Sequence, residues 1–147
     1  MKIYKGLNFL ILGFLLILIF IGLPSIIEKT NESTFCIKCH IMKPEYLNQI
    51  KGGLHNNLKC VECHLPIDNK ILFYTWKIIN GAKDTIIFYI GFTPEKISAS
   101  FRSKEIIQNN CIRCHYQMVS KINITERKCW FCHRKINHQL TGLIETF

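Results

Sequence analysis

This chain is short of acidic groups, of histidine and of length. Its 10 Asp and Glu face 19 Lys and Arg, a formal net charge of +9. Taken alone, that imbalance points to a nucleic acid or a membrane as partner. The 147 residues leave space for one soluble domain and a membrane segment, which excludes a large sheet-based catalytic domain beside other modules. Polar composition is lacking too. Hydrophobic residues make up 48% of the chain, so disorder is excluded as the main state. No cysteine is to spare. All eight lie in one repeated five-residue pattern, and eight cysteines in so short a chain exclude an ordinary reduced cytosolic enzyme.

Charge is absent altogether from Gly6 to Ile27. About 20 apolar residues at ~1.5 Å each span the ~30 Å hydrocarbon core of a bilayer. Lys2 and Lys5 precede the run, which fits a cytoplasmic N-terminus. The alternative is a cleaved signal peptide. That needs a shorter apolar region and an Ala-x-Ala-like site, of which Gly22-Leu23-Pro24-Ser25 is a poor version. The reading is an uncleaved signal anchor over residues 1–27. Pro24 is expected to end or kink the helix near the outer interface, and residues 28–35 form a polar linker.

The cysteines form four copies of Cys-x-x-Cys-His: Cys36/Cys39/His40, Cys60/Cys63/His64, Cys111/Cys114/His115 and Cys129/Cys132/His133. This is the pattern of c-type haem attachment. On a helical turn, residues i and i+3 face one side, so two thiols reach the two vinyl groups of one porphyrin, and the following His offers a ring nitrogen to iron. A zinc ribbon is the sharpest alternative, because Cys39 to Cys60 encloses 20 residues and Cys114 to Cys129 encloses 14. A ribbon does not need His after its second Cys, yet all four copies carry one. A disulfide framework is the other alternative.

Four covalently bound haem c groups also explain how the chain folds. About 37 residues per haem cannot build a conventional core, so porphyrins form the interior and thioethers staple the chain. The expected fold is mainly α, with one N-terminal transmembrane helix and a small haem-packed tetrahaem domain over residues 36–147 that has little regular secondary structure. Four haems bring about −8 in propionates, so the +9 falls to about +1 and a nucleic-acid partner drops out. Haem c is attached outside the cytoplasmic membrane. The expected location is therefore the inner membrane, single-pass, with the haem domain on the periplasmic side.

Iron ligands are in short supply. Four six-coordinate irons need eight axial ligands, and the chain has six His. His55 and His138, each five residues from a motif, are expected distal ligands. At least two positions need another side chain, a partner or vacancy. Met42, two residues after His40, has a thioether that could reach iron, or it fills a gap. Met118 is read as packing.

Leu65 to Asn110 separates the motif pairs. Its centre, Ile71 to Ile90, is read as a helix ending near Gly91, before Pro94. Lys77, Lys83 and Asp84 make a second span expensive. A helix at the membrane interface, with Tyr74 and Trp76 near the headgroups, fits better. Lys77 and Asp84 lie two turns apart on one face. An acid and a base there suit quinol chemistry. The alternative is a solvated face with a weak ion pair.

Anchor, four motifs, Met42, His55 and His138 together resemble the NapC/NirT/NrfH family of membrane-anchored quinol dehydrogenases over nearly the whole chain. The short length and exhausted His supply resemble its NrfH branch, which serves cytochrome c nitrite reductase. The resemblance implies that Met42, rather than His40, ligates the first haem. It implies His64 and His138 on the second, His115 with a lysine from a catalytic partner on the third, and His133 with His55 on the fourth. It also implies a quinol site bordered by Lys77 and Asp84. The expected partners are a membrane quinol (menaquinol), the lipid bilayer and a periplasmic NrfA-like multihaem subunit in which nitrite is reduced. This chain would then be an electron-transfer subunit of anaerobic respiration with quinol dehydrogenase activity. Two other readings stay open: electron donation to another periplasmic reductase, as in NapC-like relatives, and reduction at an under-ligated haem of this chain.

Overall fold

The structure, a computed structural model, describes residues 2–94, 97–124, 126–133, 136 and 138. No strand occurs among them. Residues 139–147, the last stretch of the expected haem domain, lie outside the described residues.

Helix α1 (Lys2–Lys29) has 28 residues, about 42 Å at ~1.5 Å per residue. The stretch Asn8–Lys29 is long and apolar enough to cross a membrane. Its large apolar side chains, from Phe9 to Ile26, are exposed, as a lipid-facing surface is. Pro24 sits inside this helix, so it does not end it. A proline removes one backbone hydrogen bond, and its effect is small near a membrane-helix end where local adjustments re-satisfy the freed carbonyl. The expected polar linker is correspondingly short: a turn over residues 30–32 leads straight into helix α2 (Ser33–Cys36).

A 3-10 turn (His40–Met42) runs into helix α3 (Lys43–Gly52), which carries Pro44 in its first turn, where the missing N–H has no intrahelical partner to lose. Gly53 follows with φ 153° and ψ −155°, a conformation nearly closed to other residues. It ends the helix, and the turns over residues 54–57 form the loop that holds His55. The Gln49 amide, reaching from α3, donates to the carbonyls of His55 (3.2 Å) and Leu58 (2.9 Å) and pins that loop. Helix α4 (Cys60–His64) is the second motif. Helix α5 (Lys70–Tyr89) begins at Asn69, whose side chain caps the Leu72 N–H at 3.1 Å, and ends before Gly91 at φ 78°, as read from the sequence. Helix α6 (Phe101–Val119) starts at the Ser100 cap, and helix α7 (Cys129–Cys132) carries the fourth motif.

A side-chain core is nearly missing. Among the described residues the one buried apolar side chain is Leu65. The chain exposes 12208 Å², against about 7,800 Å² for a compact globular protein of this mass. The apolar helix α1, exposed along its length, contributes to the excess.

Candidate haem-binding site

The four motifs do not share one local geometry. The second and fourth are single helical turns, and the third lies within α6. That helix breaks at His115, whose φ of −106° and ψ of 18° are non-helical; this turns the ligand out of the helical course. The first motif is split. Cys36 ends α2, Cys39 is extended, and a 3-10 turn starts at His40. A bond of 3.4 Å from the Cys39 N–H to the Cys36 carbonyl still holds the two cysteines in a turn. The helical-turn expectation therefore holds for three motifs and is replaced by a tighter turn in the first.

None of the eight cysteines is paired with another in a disulfide. No group of three or more His, Cys, Asp and Glu among the described residues is placed to hold a metal ion directly. Instead the thiols group between motifs. Cys36 is raised by its hydrogen bond with Cys60 and then by burial, and the same bond lowers Cys60. Cys111 is pushed up to about 12 by burial and then by Cys129 and Cys63. Cys63 is raised by burial first, with Glu62 and Cys114 adding. Motifs one and two thus lie together, three and four lie together, and the second motif meets the third.

The histidines decide whether haem fits. Two imidazoles on opposite faces of one iron, each with its nitrogen about 2 Å from the metal, have ring centres about 6 Å apart. The His64 and His138 rings are 6.1 Å apart and 23° from parallel. The His55 and His115 rings are 5.9 Å apart at 83°. Both separations match. His138, at φ 62°, keeps Nδ1 3.1 Å from the Glu45 carbonyl, which fixes its tautomer and leaves Nε2 for a metal. Loss of hydration, then the adjacent His138, holds His64 down to about 4. The residue keeps open surface, but a neutral ring is the ligating state. The resemblance implied that His55 serves His133; the structure sets it beside His115. The spacing of His55 from Cys60 carries no signal for this, because the turn at Gly53 and the Gln49 bonds direct the loop.

The first motif has its own arrangement. The His40 ring packs edge-to-face on Phe88 at 5.5 Å, and Met42 is half-buried beside it in the 3-10 turn. Lys77, half-buried, donates to the Ile27 carbonyl at 3.0 Å and to the Asn31 side chain. Burial lowers its pKa, opposed by the nearby Cys36. Asp84 is exposed and lies 3.5 Å from Lys83. Residues 77, 81, 84 and 88 form one stripe of α5. It touches the first motif's neighbourhood at Lys77 and at Phe88, with Asp84 between. Leu72, Ile79 and Ile86 are exposed on the opposite side. His133, exposed, caps α7 at φ −94° and ψ 71°.

Residues 1–117 match the NapC/NirT cytochrome c family, N-terminal region. The cytochrome c-type protein NrfH of Wolinella succinogenes is 30% identical over 123 residues, 74% of this chain and 70% of that one. The cytochrome c nitrite reductase subunit NrfH of Nitratidesulfovibrio vulgaris is 33% identical over 121 residues, 81% of this chain and 75% of that one. A chain in the crystal structure of the cytochrome c nitrite reductase NrfHA complex bound to the HQNO inhibitor superposes with a TM-score of 0.74 at 27% identity, covering 94% of this chain and 99% of that chain. With its Cys-x-x-Cys-His motifs, its paired imidazoles and a match over most of its length, this chain belongs to the NapC/NirT cytochrome c family, whose haem c is covalently bound.

Proposed function

We propose that this chain is a membrane-anchored tetrahaem cytochrome that oxidises quinol, menaquinol being the expected one, and passes the electrons to a periplasmic multihaem nitrite reductase. One observation carries the reading. The Lys77 bond to Ile27 ties α5 to the outer end of the anchor, while Phe88 meets His40. The stripe between them lies where a lipid-soluble reductant and the first motif come together. The exposed apolar side of α5 then rests on the lipid surface. The NrfH relatives and the NrfHA neighbour support nitrite reductase as the acceptor.

When bound, the haems supply a row of one-electron carriers. The chain's own residues do the rest. Lys77 keeps one of its three N–H donors for a quinol hydroxyl, and Asp84 accepts the hydroxyl proton at its carboxylate on the outer side. Met42 is the side chain we assign to the first iron, with His40 held against Phe88. His64 and His138 take the second, and His55 and His115 the third. Among the described residues His133 is then left without a second histidine, so the position filled by a lysine of the partner subunit moves from the third haem to the fourth.

The test is purification from native membranes on a C-terminal tag, with a menaquinol analogue as reductant. Mass spectrometry should return four haems, and a nitrite-reducing multihaem protein should co-elute and be reduced through this chain. Haem-loaded protein that the quinol does not reduce would overturn the proposal.

A further inference from the structure

The two polar side chains buried among the described residues are Gln108 and Asn110, 4% and 5% accessible. They sit two residues apart on α6, immediately before the third motif, and each reaches a different motif. The Asn110 amide donates to the carbonyls of Cys63 (2.9 Å) and Leu65 (2.8 Å). Those carbonyls lie on either side of His64, at the end of α4, where a helix leaves carbonyls without internal partners. The Gln108 amide donates to the Arg127 carbonyl (3.3 Å), and its oxygen accepts from the Cys129 N–H (3.0 Å). That N–H opens α7 and likewise lacks a helical acceptor. Burying an amide is costly unless its hydrogen bonds are met, so both side chains are in place for what they bond.

We propose that Gln108 and Asn110 are positioning residues that fix the second and fourth haem-binding motifs against the third. Asn110 sets the orientation of the His64 ring, and Gln108 sets the start of the fourth motif. The proposal rests on the reading of His64 and His138 as the two ligands of one iron. Neither residue touches a reacting atom. Each acts through the ligand or motif it holds, and so on the spacing and ligand planes that govern electron transfer.

The near-parallel His64 and His138 planes give a reading that stability does not. Parallel axial imidazoles produce a rhombic low-spin EPR signal, and perpendicular ones, as at His55 and His115, a signal with a large maximal g. In tetrahaem holoprotein, Asn110→Ala is expected to shift or broaden the rhombic signal and leave the large-g signal in place. Gln108→Leu should leave the rhombic signal unmoved. Gln108→Glu, which keeps the acceptor for Cys129, should resemble wild type more closely than Gln108→Leu in the midpoint potential assigned to the fourth haem. Should Asn110→Ala fail to mature, Asn110→Ser, which retains one hydroxyl donor, carries the same measurement. A rhombic signal identical to wild type in the Asn110 variant overturns the positioning role. Equal disturbance of both signals by both variants overturns it as well. Absence of any rhombic bis-imidazole signal in wild type instead refutes the ligand pairing on which it rests.

Discussion

Replacing Asp84 by Asn separates a proton acceptor from a surface ion pair. Asp84 and Lys83 are 70% and 54% accessible at a separation of 3.5 Å. A pair so exposed contributes under about 0.5 kcal/mol. Asp84→Asn is therefore expected to leave stability and haem content at wild-type values. A carboxylate that takes a proton in the rate-limiting step contributes about 10²–10⁴-fold, or about 3–5 kcal/mol of barrier. Stopped-flow reduction by a menaquinol analogue in detergent or nanodiscs reads that difference directly. Lys83→Met is the control, because it breaks the same ion pair and should not slow reduction. A dithionite arm shows that the irons of both variants stay reducible. Reduction of Asp84→Asn by quinol within threefold of wild type would refute the role given to this carboxylate.

Further outcomes follow from the contacts around the motifs. Lys77→Met removes the charge-assisted bonds to Ile27 and Asn31, each worth about 1.5–3 kcal/mol before the return of desolvation. It should lower the melting temperature and raise protease cleavage near residue 30. The Lys77 pKa lies below its usual 10.5 because of burial, so the unfolded chain binds this proton more tightly than the folded one. The resulting destabilisation is present at neutral pH. It fades as pH rises from the lowered value towards 10.5, so the slope of stability with pH in that window should be positive in wild type and reduced in Lys77→Met. Met42→Ala should change the optical and EPR spectrum of one haem while all four stay attached. Glu62→Ala removes the acceptor 2.6 Å from the Lys59 N–H at the start of α4 and should cost about 1 kcal/mol in thermal unfolding without altering haem spectra.

The chain's chemistry was legible where it is written in covalent spacing. Four repeats of Cys-x-x-Cys-His, an uncharged run from Gly6 to Ile27 and a count of six His carry the cofactor, the anchor and the ligand shortage. Lys77 and Asp84 share a face as the spacing required, and α5 ends before Gly91 as its glycine demanded. What could not be read is what depends on tertiary approach. Gln108 and Asn110 are ordinary polar residues in sequence, and nothing local says that they face inward, since the surfaces enclosing them come from residues far along the chain. His55 has no sequence mark of which iron it meets; Gly53 and Gln49 decide that. The passage of α1 through Pro24 depends on surroundings that a proline rule does not contain.

Between the last residue of α1 and the first cysteine lie only six residues, Thr30 to Phe35, half of them helical, and Lys77 latches the two sides of that joint. Such a joint is far shorter than a flexible tether. A carrier on a long leash can swing out to find an acceptor; six residues, half of them helical, give this cytochrome a much shorter reach. Its redox groups stay close to the end of the anchor, and an enzyme they feed receives current there.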